Sequence, residues 1–166
     1  MATTTAVTLF DIITRLKQAN EYVTINNILR LIKPGEIILG NDNYTTTPLC
    51  LCAQLELQGS AIYYLMVDQA HTVAETDSNG ATPLQIAAAN KHWYTLQDLL
   101  RYSDPSKLTL EHSMDHSDVY IHAIEKPNME MIELLLTFKL NYDAAKVGKV
   151  ANNSPSLIIK KLFGTA

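Results

Sequence analysis

Cysteine is scarce in this chain. Cys50 and Cys52 are the whole supply among 166 residues, a number and spacing that suit neither a disulfide framework nor a four-ligand zinc site. The sequence therefore reads as that of a protein in a reducing compartment, cytoplasmic or nuclear. An excess of basic residues is also missing. Thirteen Lys and Arg stand against seventeen Asp and Glu, for a net charge of -4. No field of that sign draws the chain to phosphate backbones or anionic lipid, so neither nucleic acid nor a membrane is expected as a partner. No stretch approaches the roughly 20 apolar residues of a spanning helix, and Met1 to Thr8 is small and Thr-rich without the basic segment of a secretory signal. Without such a signal the sequon Asn43-Tyr44-Thr45 reads as coincidence. Phosphate loops and dinucleotide fingerprints do not occur.

What is present is the composition of an ordinary globular protein, 47% apolar and 18% charged, in a chain long enough for one well-buried domain. Self-similarity organises it. The clearest unit runs Asp77-Ser78-Asn79-Gly80-Ala81-Thr82-Pro83-Leu84-Gln85-Ile86-Ala87-Ala88, followed by Trp93, Leu96, Leu99 and Leu100. Asp77 and Gly80 suit a hairpin turn, Thr82 suits a helix cap, and Pro83 fits the first helical turn, where a missing N–H costs nothing. Leu84, Ala87 and Ala88 then face inward, the alanines letting neighbouring helices approach closely. Leu96, Leu99 and Leu100 give the second helix an apolar stripe. This unit resembles the ankyrin repeat.

The same template recurs at Asp42 and Thr47-Pro48-Leu49, with Cys52-Ala53 in the paired-alanine positions. Thr47 and Thr82 are 35 residues apart, against a family period of about 33. The two extra residues fit between the helices, near Glu56 to Gly59, where insertion is cheap, and Ile62, Tyr63, Met66 and Val67 then form the second stripe. One step back, Thr14 takes the cap position without a proline, with Leu16, Ala19, Ile28, Leu31 and Ile32 as core and Lys33-Pro34-Gly35 as the following turn. Polar Arg15, Lys17 and Gln18 suit a terminal unit whose outer face meets water. Toward the C-terminus Tyr120, Ala123, Ile124, Met131, Ile132, Leu135 and Leu136 keep the core pattern, with Asp118 in place of the capping Thr. The finger before it, Arg101 to Ser117, is unusually long. Val147, Val150, Ala151, Ile159, Leu162 and Phe163 repeat the spacing once more, with Asp143 as the cap and Lys146, Lys149, Lys160 and Lys161 on a solvated face.

The resemblance implies an all-α fold: an ankyrin-repeat solenoid of stacked helix-turn-helix units with hairpin loops, about four repeats including degenerate capping units. The expected organisation is a single domain over 1–166, with repeats near 8–40, 41–76, 77–110 and 111–140 and a C-terminal cap over 141–163.

Glu111, His112, Asp115, His116, Asp118 and His122 form the densest set of potential metal ligands. His112 and His116 are four apart, as zinc ligands on a helix can be. The repeat register puts them in a finger, however, and Ser113 stands where a zinc protease has its Glu. A solvated fingertip is the plainer reading, and no metal or cofactor is expected. Cys52 replaces the first alanine of its pair and Cys50 stands where the family has His, so both read as small buried thiols. A catalytic thiol would need a base and oxyanion donors, which the register does not supply. His92, at another histidine position of the family, reads as structural. Trp93 and Tyr63 fall on core positions, whereas Tyr64, Tyr94 and Tyr102 are expected to be exposed on the outer row.

The resemblance also implies function. Ankyrin proteins bind other proteins through a concave surface of fingertips and first-helix faces. Carried over by position, the fingertip residues here are Asn43, Tyr44 and Thr46, then Ser78, Asn79 and Ala81, then Met114, Asp115 and Ser117. The first-helix positions are Gln54 and Leu55, Ala89 and Asn90, and Glu125 and Lys126. Tyr44, Leu55 and Met114 are apolar groups where the fold itself needs none. The expectation is a monomeric, non-enzymatic module for an unidentified protein partner. Two alternatives stand beside it: the targeting domain of a larger protein, such as a bacterial effector acting inside a host cell, which apolar exposure on the last unit would favour, and a metal-binding His-rich finger.

Overall fold

The protein is described by a computed structural model, which covers residues 7–40, 44–103 and 115–165. It is mostly helical. Helices α1 (Leu9–Gln18), α2 (Tyr22–Leu29), α3 (Pro48–Leu55), α4 (Ser60–Tyr63, continuing through a π-helical turn Tyr64–Asp68), α5 (Pro83–Asn90), α6 (Trp93–Tyr102), α7 (Ser117–Glu125), α8 (Met129–Phe138), α9 (Ala144–Asn152) and α10 (Leu157–Phe163) follow one another in pairs. The strands among the described residues are two short ones, β1 (Ile38–Leu39) and β2 (Thr45–Thr46), paired antiparallel with Ile38 opposite Thr46.

The helices sort into two rows. One row packs α1 on α3, α3 on α5, α5 on α7 and α7 on α9, while α2, α4, α6 and α8 form a second row in the same sequence. Each odd-numbered helix also packs on the even one that follows it. A continuous core fills the space between the rows, from Ile13 and Ile25 through Leu49, Leu84 and Leu96 to Tyr120, Val147 and Ile159. Among the described residues no helix is long and apolar enough to cross a membrane.

Local chemistry sets the helix starts. The hydroxyls of Thr8, Thr47 and Thr82 accept from the backbone N–H groups of Asp11, Cys50 and Gln85, and Asp11 and Gln85 reach back to close capping boxes. Each cap satisfies donors that the helix cannot bond internally. Pro48 and Pro83 occupy the first turn. Asn128, Asp143 and Ser156 cap α8, α9 and α10 in the same way. The two-residue insertion lies where expected: α3 and α4 are joined by Glu56–Gly59, whereas α5 and α6 are joined by Lys91 and His92 alone.

The second row is tied by side chains. Arg30 stacks its guanidinium 3.5 Å over the Tyr64 ring, and Asn26 Nδ2 donates to Ser60 Oγ at 2.7 Å. Asp98 accepts from the Gly59 N–H at 2.7 Å, and Thr95 Oγ1 donates to the Leu57 carbonyl at 3.2 Å. Tyr120 is fully buried, and its hydroxyl lies 3.0 Å from the Leu135 carbonyl and 3.2 Å from that of Leu140.

Several expectations are corrected. The described residues hold five helix pairs, one in each of the five spans set out above, where the repeat count was expected to be about four. Thr14 is not a cap: the capping box forms at Thr8, and Thr14 lies inside α1 with its hydroxyl on the Phe10 carbonyl. Ala19 is accordingly exposed at the helix end, and Leu31 points outward with 79% of its surface exposed. In the wide turn after α4 Leu65 is buried while Val67 is exposed, and Tyr63, at the end of α4, is exposed as well. Tyr64 and Tyr102, expected to be exposed, are half-buried. Asp118 does not cap α7, because the helix begins one residue earlier at Ser117. Leu162 is exposed, whereas Val147, Ala151, Ile159 and Phe163 are buried as expected.

Candidate functional site

The turn before α5 builds the centre of the site. Asp77 Oδ1 accepts from the N–H groups of Asn79 and Ala81, both at 2.9 Å. The Asp77 N–H donates to the Ala81 carbonyl, and Gly80 takes the left-handed conformation that closes the turn at φ 77°. This is the Asp and Gly chemistry of a tight turn. The preceding finger is pinned to it, since Ser78 N–H donates to the Thr45 carbonyl and Thr45 N–H donates to Ser78 Oγ. Tyr44 adds a third tie: its hydroxyl donates to Asp77 Oδ2 at 3.0 Å, with Gln54 Oε1 at 3.4 Å. Burial raises the Tyr44 phenol above its ordinary range, and neighbouring Asp77 adds to the shift, so the proton stays on the phenol at neutral pH.

These ties frame an open cleft of about 420 Å³. Its walls come from Tyr44 just before β2, the Asp77–Ala81 turn, α3, α5 and α7. Six of the expected partner-binding residues line it: Tyr44, Gln54, Asn79, Ala81, Ala89 and Asn90. Asp77, Gln85, Ile86, Asp118 and His122 line it as well. Gln85 has a structural bond, because its Oε1 accepts from the Thr82 N–H. Asp118 and His122 stand one helical turn apart on α7, and that spacing was the signal that could have placed them on one face. The polar groups of the lining are mostly amides and carboxylates, joined by the Tyr44 phenol and the His122 imidazole.

The other expected residues fall elsewhere. Thr46 is buried, facing inward from β2. Ser117 is buried at the start of α7, where its hydroxyl donates to Asp115 and accepts from the Asp143 N–H. Neither is a free fingertip residue. Asp115 is exposed, but with Lys146 Nζ at 3.4 Å it belongs to the junction between α7 and α9. Ser117 holds its carboxyl below the usual range, with Lys146 adding to the effect. Leu55 is half-buried against the core and Tyr44 meets Phe10 edge-on at 6.4 Å, so the fold uses both apolar groups. Ser78 is exposed beside the cleft, engaged with Thr45. Glu125 and Lys126 are exposed beyond the cleft, Glu125 with His122 at 3.7 Å and Lys126 beside Lys91, whose ammonium it pushes below its ordinary value. Asn43, Met114, Glu111 and His112 lie outside the described residues.

Cys50 and Cys52 are buried free thiols. Burial pushes Cys50 up to about 11 and moves Cys52 in the same direction, so both stay protonated at neutral pH. His92 Nδ1 is 2.8 Å from the Ala53 carbonyl, a structural contact between neighbouring units. His116 is buried, and its N–H donates to the Asn141 carbonyl. Among the described residues no three His, Cys, Asp or Glu side chains come together as a metal set. Compared with family models, curated proteins and solved structures, the chain matches none.

Proposed function

We propose that this chain is a non-enzymatic interaction module of the ankyrin-repeat kind, and that it binds a protein partner in the cleft between the pinned turns and the α3–α5–α7 row. The observation that carries the reading is the meeting of Tyr44, Gln54, Asn79, Ala81, Ala89 and Asn90 on one open surface. The paired helices in two rows, with two Thr-Pro starts and the Asp77–Gly80 turn, support the family. Amides held on a rigid backbone offer donors and acceptors to a partner's main chain without first having to be ordered, which lowers the entropy cost of binding.

The experiment is a capture from cell lysate with wild type beside an Ala89→Arg/Asn90→Ala variant. Ala89 is exposed within α5, so arginine there fills the cleft without disturbing the core, and both chains should melt alike. A partner held by wild type and lost by the variant supports the reading; undiminished capture moves binding off this cleft.

A second reading, the targeting domain of a larger protein, draws on one observation. Leu157, Ile158 and Leu162 are exposed on α10 at 66%, 58% and 47%, more apolar surface than a solvated end face needs. Arginine at Leu157 and Ile158 should leave a free-standing module unaffected and disrupt one that docks there.

A further inference from the structure

The second row carries a cleft of its own, of about 380 Å³, between α6 and α8. Its floor is apolar. Trp93 is half-buried at the start of α6, Tyr94 follows it at 68% exposure, and Met131 and Leu134 supply the α8 side. The rim is polar, from Gln97, Asn128 and Thr137. Glu130 and Glu133 also line it; both are exposed, and no Lys or Arg does. Neither glutamate is paired with a cation among the described residues.

Two carboxylates beside an indole and a phenol form an environment for a cation with an apolar stem. The ring faces attract a cation through their quadrupoles, the carboxylates supply opposite charge, and the floor accepts methylenes. Arginine fits better than lysine, because its planar guanidinium stacks on a ring while its fork of N–H groups reaches a carboxylate. The chain already uses half of this chemistry in the same row, where Arg30 lies over Tyr64. The volume is in the range of sites that bury a small ligand or one or two side chains.

We propose that the Trp93–Tyr94 cleft is a second docking site, for an arginine-bearing segment of a partner protein with an apolar residue beside the arginine. The site is independent of the cleft on the opposite row, so a partner could span both or two partners could bind together. It gives an acidic chain a defined point of attachment for basic peptides.

The chain has a single tryptophan, so its emission reports on this cleft directly. The probe is the peptide acetyl-Leu-Arg-Leu-Arg-Leu-amide, titrated beside a copy with citrulline for arginine, which keeps shape and removes charge. The arginine peptide should shift the Trp93 emission saturably, with affinity at least tenfold above the citrulline copy and reduced severalfold by raising the salt from 0.05 to 0.5 M, in proportion to screening. Glu130→Gln/Glu133→Gln and, separately, Tyr94→Ala should each weaken binding at least fivefold while melting like wild type, and Ala89→Arg should leave it unchanged. Equal affinity for the two peptides, no saturable shift up to 1 mM, or loss of the response in Ala89→Arg would overturn the assignment. The last result would also place the peptide in the first cleft, leaving that proposal intact.

Discussion

At the junction between α7 and α9 the Asp143 N–H donates to Ser117 Oγ, the Ser117 hydroxyl and N–H donate to Asp115, and Lys146 approaches the same carboxylate. Asp143 meanwhile caps α9 through the Ala145 and Lys146 N–H groups. Asp115 is half-exposed, so solvent screens much of the effect and its contribution at neutral pH should be about 0.2–1 kcal/mol. Its carboxyl titrates lower in the folded than in the unfolded chain. The stabilisation is therefore complete above the unfolded value, near pH 4, and is lost as pH falls through the lower folded value. Asp115→Asn should be less stable than wild type at pH 7, and urea unfolding should show the difference shrinking below about pH 4. The sequence named Asp115 and Ser117 but assigned them to a partner. Sequence position alone does not show that the next unit folds back to claim them.

Among the elements, α9 holds a buried glycine where helix propensity would favour alanine. A Cβ on Gly148 would lie 2.7 Å from Thr165 Cγ2 and 2.9 Å from the Phe163 carbonyl. Propensity predicts a gain of about 1 kcal/mol for Gly148→Ala. The backbone contact predicts that α10 must shift, at a typical overpacking cost of about 1–3 kcal/mol. The variant should thus be neutral or destabilised, never stabilised by the full propensity gain, which thermal unfolding reads directly. Element starts were legible wherever one side chain decides them, as at Thr47-Pro48, Thr82-Pro83 and Asp143. They were not legible where two residues compete. Thr14 matches the period, but Thr8 has Asp11 three residues on, and the reciprocal bonds of the capping box outweigh spacing. The wide turn at Tyr64–Asp68 was equally hidden, because a change in helical pitch leaves no mark in residue type, and within it Leu65 is buried and Val67 exposed. Half of the site was legible for the same reason: fingertip and α5 positions follow from a turn chemistry that the sequence states outright, whereas Asp118 and His122 depend on where α7 begins.

Across the whole molecule, contacts run chiefly between adjacent pairs, so stability should be distributed along the stack rather than held by one centre. The middle pairs have neighbours on both sides. The first pair leaves Ile12, Tyr22 and Val23 exposed, the segment that follows it leaves Leu31, Ile37 and Leu39, and the last pair leaves Leu157 and Ile158. Native-state hydrogen exchange should find the slowest amides in α5 and α6, with α1, α2 and α10 opening by cheaper, local events. Uniform protection from end to end would argue for a single cooperative unit instead.

The ties between units have a reach that bears on synthesis. Arg30 with Gln69, Ile32 with His71, Ala53 with His92 and Gly59 with Asp98 are each 39 residues apart. At a ribosomal rate of roughly 5–20 residues per second, the bonding partner of each tie emerges about 2–8 s after the first residue. Once about three pairs have emerged and hold a core between them, the nascent chain can add each further pair onto a formed template, which confines the apolar surface then awaiting cover to one growing face.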